Sequence, residues 1–148
     1  GRGLVAALAL GADAVNMGTR FLCTAESPIH ENIKQRIVEQ DERQTVHIFR
    51  SFRNTARVAR NSVSEKIIEI ERAGGSFEDV KDLASGARGR LVYEQGDPEA
   101  GLWSVGPAQG LIHDVPTCQE LVENIITEAD SVIAERLGGM VGASAGAR

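Results

Sequence analysis

Aromatic residues are scarce in this 148-residue chain, at 4%, and it holds only two cysteines and four prolines. Two cysteines cannot frame a disulfide scaffold, and so little proline excludes collagen-like and mucin-like chains. Cys23 and Cys118 lie far apart, match no metal or redox spacing, and read as reduced thiols of a cytoplasmic protein. No apolar run approaches the roughly 20 residues that a membrane-spanning helix needs, so no membrane insertion is expected. An excess of positive charge is missing too. Sixteen basic against 21 acidic side chains give a formal net charge of −5. Nucleic-acid binding in general needs a positive surface to neutralise phosphate, and nucleic acid is therefore not an expected partner. What is present, 42% hydrophobic and 25% charged residues, is ordinary for one soluble domain with an apolar core.

The chain opens Gly1-Arg2-Gly3, with no initiator Met, charged n-region or signal core, and enters at once the apolar, helix-forming run Leu4 to Leu10. It reads as a piece of a longer protein. Residues 138–148 are small and glycine-rich and predict a flexible tail.

Between these ends the pattern is mostly helical. Arg2 to Leu10 suits a short helix that Gly11 terminates, and Ala12 to Gly18 reads as a brief strand bounded by glycines. A helix, a glycine turn and a short buried strand make half of a repeating β/α unit. Ser27-Pro28 marks a break, and a helix from about His30 to Gln40 follows, burying Ile33, Ile37 and Val38. Ala56, Ala59, Val63, Ile67 and Ile70 recur at steps of three and four, which predicts one helix over 54–73, stopped by Gly74-Gly75. Ser76 and Asp79 form a variant capping box, Ser85 to Gly89 a loop, and Gly96 to Gly101 a turn. The capping box Thr117-Cys118-Gln119-Glu120 opens a last helix, in which Leu121, Ile125, Ala129, Val132 and Leu137 trace one stripe.

Chemistry concentrates at the end of the early strand. A strand ending in glycine lets the backbone approach a phosphate, because no Cβ intervenes. Backbone N–H groups at the start of the next helical turn then face the anion, and Thr19 adds a hydroxyl donor. Elsewhere the signals are plainer. Arg50, Arg53, Arg57 and Arg60 fall at helical spacing, with no aromatic residues interleaved for base stacking, and read as a solvated helix face. His30, His47 and His113 are scattered and form no zinc pair, so no metal site is expected. His47, in an extended-looking Val46-His47-Ile48 run, reads as buried and hydrogen-bonded. Trp103 is either a packing residue or the anchor that brings the Ser104 to Gly106 backbone toward a ligand; Tyr93 and Asp97 read as structural.

The run Ala9-Leu10-Gly11-Ala12-Asp13-Ala14-Val15-Asn16-Met17-Gly18-Thr19-Arg20-Phe21 resembles the phosphate end of FMN-dependent (β/α)8 barrels, above all the nitronate monooxygenases, once called 2-nitropropane dioxygenases. Flavin-dependent enoyl-ACP reductases and, more distantly, IMP dehydrogenase are related. Gly101-Leu102-Trp103-Ser104-Val105-Gly106, Gly110-Leu111-Ile112 and Asp114-Val115-Pro116 are similar to the family's C-terminal segment, although Pro107 stands where many members have Gln. The resemblance runs from about Gly1 to about Leu137.

It implies an α/β fold: the C-terminal portion of a (β/α)8 TIM barrel followed by a mostly helical region. Residues 1–25 would be the end of the FMN-binding barrel, 26–137 a helical region packing on it, and 138–148 the tail. A whole barrel takes roughly 250 residues. The implied activity is flavin-dependent oxidation of alkyl nitronates by oxygen to a carbonyl compound and nitrite. FMN is the implied cofactor, with Asn16, Met17, Gly18 and Thr19 as its ligands in this chain. No catalytic residue is assigned, because the family's histidine base would precede Gly1. The alternatives are an enoyl-ACP reductase-like flavoenzyme and a non-catalytic helical module. Exposed barrel edges would favour a homo-oligomer.

Overall fold

The computed structural model describes residues 1–145. The chain divides into two compact units, one made of 18–115 and the other of 1–17 together with the segment from Pro116 onward.

The larger unit begins with the single helical turn α2 (Thr19–Leu22), which follows α1 (Arg2–Ala9) of the other unit, and continues into α3 (Glu31–Glu39). Ile33 and Ile37 on α3 are fully buried, as the apolar spacing predicts. His30 caps α3, its Nδ1 accepting the Asn32 N–H at 3.1 Å. A 3₁₀ turn at Glu42–Gln44 leads into a two-stranded antiparallel hairpin, β1 (Thr45–Ile48) and β2 (Ala56–Ala59), with Val46 opposite Val58 and Ile48 opposite Ala56. Beyond it lie α4 (Ser62–Arg72), α5 (Phe77–Val80), α6 (Gly86–Gln95) and a 3₁₀ turn at Pro107–Leu111.

The hairpin corrects the expected helix over 54–73, whose true start is Ser62. Ala56 and Ala59 fit a helical period only by coincidence. The decisive contacts are long-range: β2 pairs with β1, and the Ala59 N–H donates to the Trp103 carbonyl at 3.0 Å. Side chains alternate across a strand, so the neighbours Val58 and Ala59 enter separate apolar clusters. Val58 joins Val46, Ile48, Val63, Ile67 and Val80, whereas Ala59 joins Cys23, Ile33, Ile37, Val92, Trp103 and Ile112. His47 is on β1 but exposed, contrary to the expectation of burial.

Helix α6 likewise replaces the expected loop at 85–89. Its glycines lower helix propensity, yet Gly89 allows close packing: a Cβ there would lie 2.9 Å from the Leu102 carbonyl oxygen. Expected ends elsewhere hold, with Gly11 (φ +95°) after α1 and Gly74 (φ +80°) after α4 supplying left-handed residues.

Glu71 on α4 ties down the hairpin loop. Its carboxylate accepts from the Phe49 N–H (2.8 Å), the Ser51 N–H (3.0 Å) and the Ser51 hydroxyl (2.8 Å). Phe49 sits at φ +60°, a region that non-glycine residues enter at a cost. Partial burial pushes the Glu71 pKa up, but hydrogen bonds from Ser51, Phe49 and Arg50 outweigh it and hold the carboxyl below its ordinary 4.5. A depressed folded pKa contributes stability above the unfolded value that disappears as pH falls through the folded one. Glu71→Gln should therefore cost about 1–2 kcal/mol near neutrality. It should also flatten the acid side of the stability curve below about pH 4.5, as read by urea unfolding across pH.

In the smaller unit, α1 packs on α7 (Cys118–Ser131), with Val5, Leu121 and Ala129 buried. The predicted capping box is present, Thr117 accepting the Glu120 N–H at 3.2 Å while the Glu120 carboxylate accepts the Thr117 N–H at 2.8 Å. The helical path continues as a π segment at Val132–Leu137 and then α8 (Gly138–Ala145), where composition predicts a loose tail. Residues 146–148 of that expected tail lie outside the described residues. The wider π turn rotates the side-chain phase, and Leu137 leaves the buried stripe, 41% exposed.

The expected strand at 12–18 is not one. Among the described residues no strand pairs with it, and Asp13 to Asn16 are exposed. The described residues are mostly helical with one two-stranded sheet.

Candidate functional site

A cavity of about 390 Å³ in the larger unit is lined by Gly18, Thr19, Leu22, Arg57, Tyr93, Ser104, Val105 and Gly106. Four sequence-distant segments meet here. Gly18 and Thr19 come from the entry to α2, Arg57 from β2, Tyr93 from α6, and Ser104 to Gly106 from the extended segment before the 3₁₀ turn.

Hydrogen bonds fix the walls. The Gly106 N–H donates to Thr19 Oγ1 at 2.8 Å, and the Ser104 N–H donates to Tyr93 Oη at 3.2 Å. Both hydroxyls thus serve as acceptors inward to the fold and keep their own protons to donate. Burial raises the Tyr93 pKa against the opposing hydrogen bond from Ser104, so the phenol is neutral and a donor at ordinary pH. Arg57 is half-buried, and its Nη1 donates to Thr45 Oγ1 at 2.6 Å. Trp103, 3% exposed, anchors the 104–106 segment from within the core, its indole N–H donating to the Pro98 carbonyl at 3.2 Å.

Among the described residues, those lining the cavity therefore carry one cation and the hydroxyls of Thr19, Tyr93 and Ser104, and none is a carboxylate. That donor set suits an oxyanion such as a phosphate monoester. Two details bear on how this turn would hold an anion. Gly18 has φ −96°, a region open to any residue, and a Cβ there would meet nothing within 4 Å. Its lack of a side chain keeps space clear and does not relieve backbone strain. Helix α2 has only four residues, so its dipole supplies little of the field.

Of the expected flavin ligands, Gly18 and Thr19 line the cavity; Asn16 and Met17 belong to the other compact unit and are not among its lining residues. Arg57 and Tyr93 were not expected here. Helical spacing predicts a solvated face for Arg57, and only the β1–β2 pairing, invisible to helical periodicity, turns it to the cavity. Pro107 opens the 3₁₀ turn, where a missing N–H costs nothing.

The nitronate monooxygenase family model matches residues 1–128. A solved structure of FabK from Thermotoga maritima superposes with a TM-score of 0.87 at 36% identity, over 95% of this chain and 44% of that one. The (3aS,4S,5R,7aS)-5-hydroxy-7a-methyl-1-oxo-octahydro-1H-indene-4-carboxyl-CoA dehydrogenase of Mycobacterium tuberculosis is 30% identical across 87% of this chain and 46% of its own length. A "Probable nitronate monooxygenase" of Staphylococcus saprophyticus is 29% identical across 90% of this chain and 37% of its own. The chain thus spans less than half the length of these relatives. By sequence and by fold, it belongs to the nitronate monooxygenase family of flavin oxidoreductases.

Proposed function

We propose that this chain is the C-terminal part of an FMN-dependent oxidoreductase that oxidises alkyl nitronates with oxygen to a carbonyl compound and nitrite. The observation that carries the reading is the cavity at the Gly18–Thr19 turn, walled by hydroxyl groups and one guanidinium, with no carboxylate among the described residues that line it. These residues fit the phosphate end of FMN. Gly18 leaves room for it, Thr19 and Tyr93 offer hydroxyl protons, and Arg57 offers charge. When bound, the flavin supplies the electron-accepting chemistry, and the protein's part is to hold and orient it. In this reading the residues of this chain bind and position the flavin, and none of them is assigned as the base that takes the substrate proton.

An enoyl-ACP reductase-like activity is the second reading, favoured by the likeness to FabK. Both readings share the FMN site and differ in substrate. The 148-residue chain alone, given FMN and an alkyl nitronate, should release no nitrite, whereas the protein carrying it at natural length should release it. Nitrite from the chain alone would show that these 148 residues suffice for turnover. Failure of the natural-length protein on nitronates, with turnover of an enoyl thioester instead, would select the second reading.

A further inference from the structure

We propose that Arg57 is the charge-bearing ligand of a phosphate monoester in this cavity, held in place by Thr45 as a positioning residue. The proposal rests on the flavin reading only for the identity of the anion.

Four observations converge on Arg57. It is the cation among the residues that line the cavity. Antiparallel pairing with His47 fixes its place on β2, on the same strand face as the buried Ala59. One of its five N–H donors is committed to Thr45 Oγ1 at 2.6 Å. Thr45 is itself buried, 7% exposed, and its hydroxyl donates to the Glu42 carbonyl at 3.2 Å. The Thr45 proton is therefore spoken for, its lone pair faces Arg57, and the guanidinium is anchored at one corner.

The fourth observation concerns charge. Arg20, Arg43 and Arg60 of the same unit are paired with Asp114, Asp41 and Glu65. Among the described residues no carboxylate forms an ion pair with Arg57. A half-buried, anchored guanidinium without a counter-ion, facing a cavity of hydroxyl donors, is complementary to an oxyanion. A phosphate monoester carries close to two negative charges near neutral pH. The one-turn α2 cannot balance them by its dipole, and Thr19 and Tyr93 bring no formal charge.

The test titrates the apo form of the natural-length protein with FMN, with riboflavin, which lacks the phosphate, and with inorganic phosphate. Arg57→Gln should weaken FMN binding about 10- to 100-fold, the range for one charge-assisted contact. Riboflavin affinity should change by less than about twofold, and inorganic phosphate should no longer protect against thermal unfolding. Thr45→Val should give a smaller loss with the same FMN-over-riboflavin signature, and Thr45→Ser should restore binding. Equal weakening of FMN and riboflavin in Arg57→Gln would make the residue structural and overturn the proposal, as would unchanged FMN affinity. Should the wild-type apoprotein bind phosphate through Arg57 but take no flavin, the flavin reading fails and the anion site stands. Absence of phosphate binding in a folded wild-type protein refutes the site itself.

Discussion

Gly18→Val in the natural-length protein should abolish FMN retention while leaving the fold intact. Gly18 sits at φ −96° and ψ −75°, within the right-handed region, and an added Cβ meets no atom within 4 Å. The substitution therefore costs little in strain or clash, and loss of glycine's unfolded-state freedom offsets part of that. The new isopropyl group stands at the wall of the cavity that Gly18 lines, where the phosphate is proposed to sit. A flavin-to-protein absorbance ratio near zero with a melting temperature close to wild type is the expected result. Thr19→Ala is a less clean probe, because it also leaves the Gly106 N–H without its 2.8 Å acceptor. It should lose flavin affinity and also about 1 kcal/mol of stability. Thr19→Ser should recover both. Full flavin content in a well-folded Gly18→Val protein would remove the turn from the site.

The largest stability effect is expected at Asn61, which is 6% exposed at the junction of β2 and α4. Its Oδ1 caps α4 by accepting the Ser64 N–H at 2.8 Å, and its own N–H donates to the Ser64 hydroxyl at 2.9 Å. Its Nδ2 donates to the Pro98 and Gly101 carbonyls at 2.7 and 2.8 Å. One side chain therefore joins the start of α4 to the loop that leads into Trp103 and the cavity wall. Asn61→Ala removes a helix cap and leaves the buried Gly101 carbonyl without its donor, while the Pro98 carbonyl keeps only the Trp103 indole N–H, a loss of roughly 3 kcal/mol. Asn61→Asp separates the two roles. It keeps the cap acceptor but sets a carboxylate against two carbonyl oxygens, and should be at least as destabilising as alanine. Urea midpoints read the difference. An Asn61→Asp protein as stable as wild type would show that the cap alone matters.

Local signals made much of this fold legible. The α3 and α7 helices follow from apolar spacing and capping residues, because their determinants lie within a few positions of each other. What escaped were features set by distant partners. Ala56 to Ala59 form a strand because Thr45 to Ile48 and Trp103 offer backbone partners. Helix α6 forms over Gly86 and Gly89 because Val92 is buried and Gly89 fits against Leu102. The run around Val15 failed in the other direction. A barrel strand is buried on both faces and paired on both edges, and Val15, 38% exposed, has no strand beside it among the described residues.

The site shows the same division. Gly18 and Thr19 are readable because the glycine turn they form is contiguous in sequence. Arg57 and Tyr93 reach the cavity only through tertiary folding, 38 and 74 residues beyond Thr19. Asp97, expected to be structural, does accept the Glu99 N–H at 2.9 Å within its turn.

A crystal structure of the natural-length protein with FMN bound would test whether the Gly18–Thr19 cavity holds the flavin phosphate, as proposed. Phosphate oxygens should lie about 3 Å from Thr19 Oγ1 and from a guanidinium nitrogen of Arg57. A flavin whose phosphate is held elsewhere, with Arg57 turned to solvent or to a carboxylate, would contradict it.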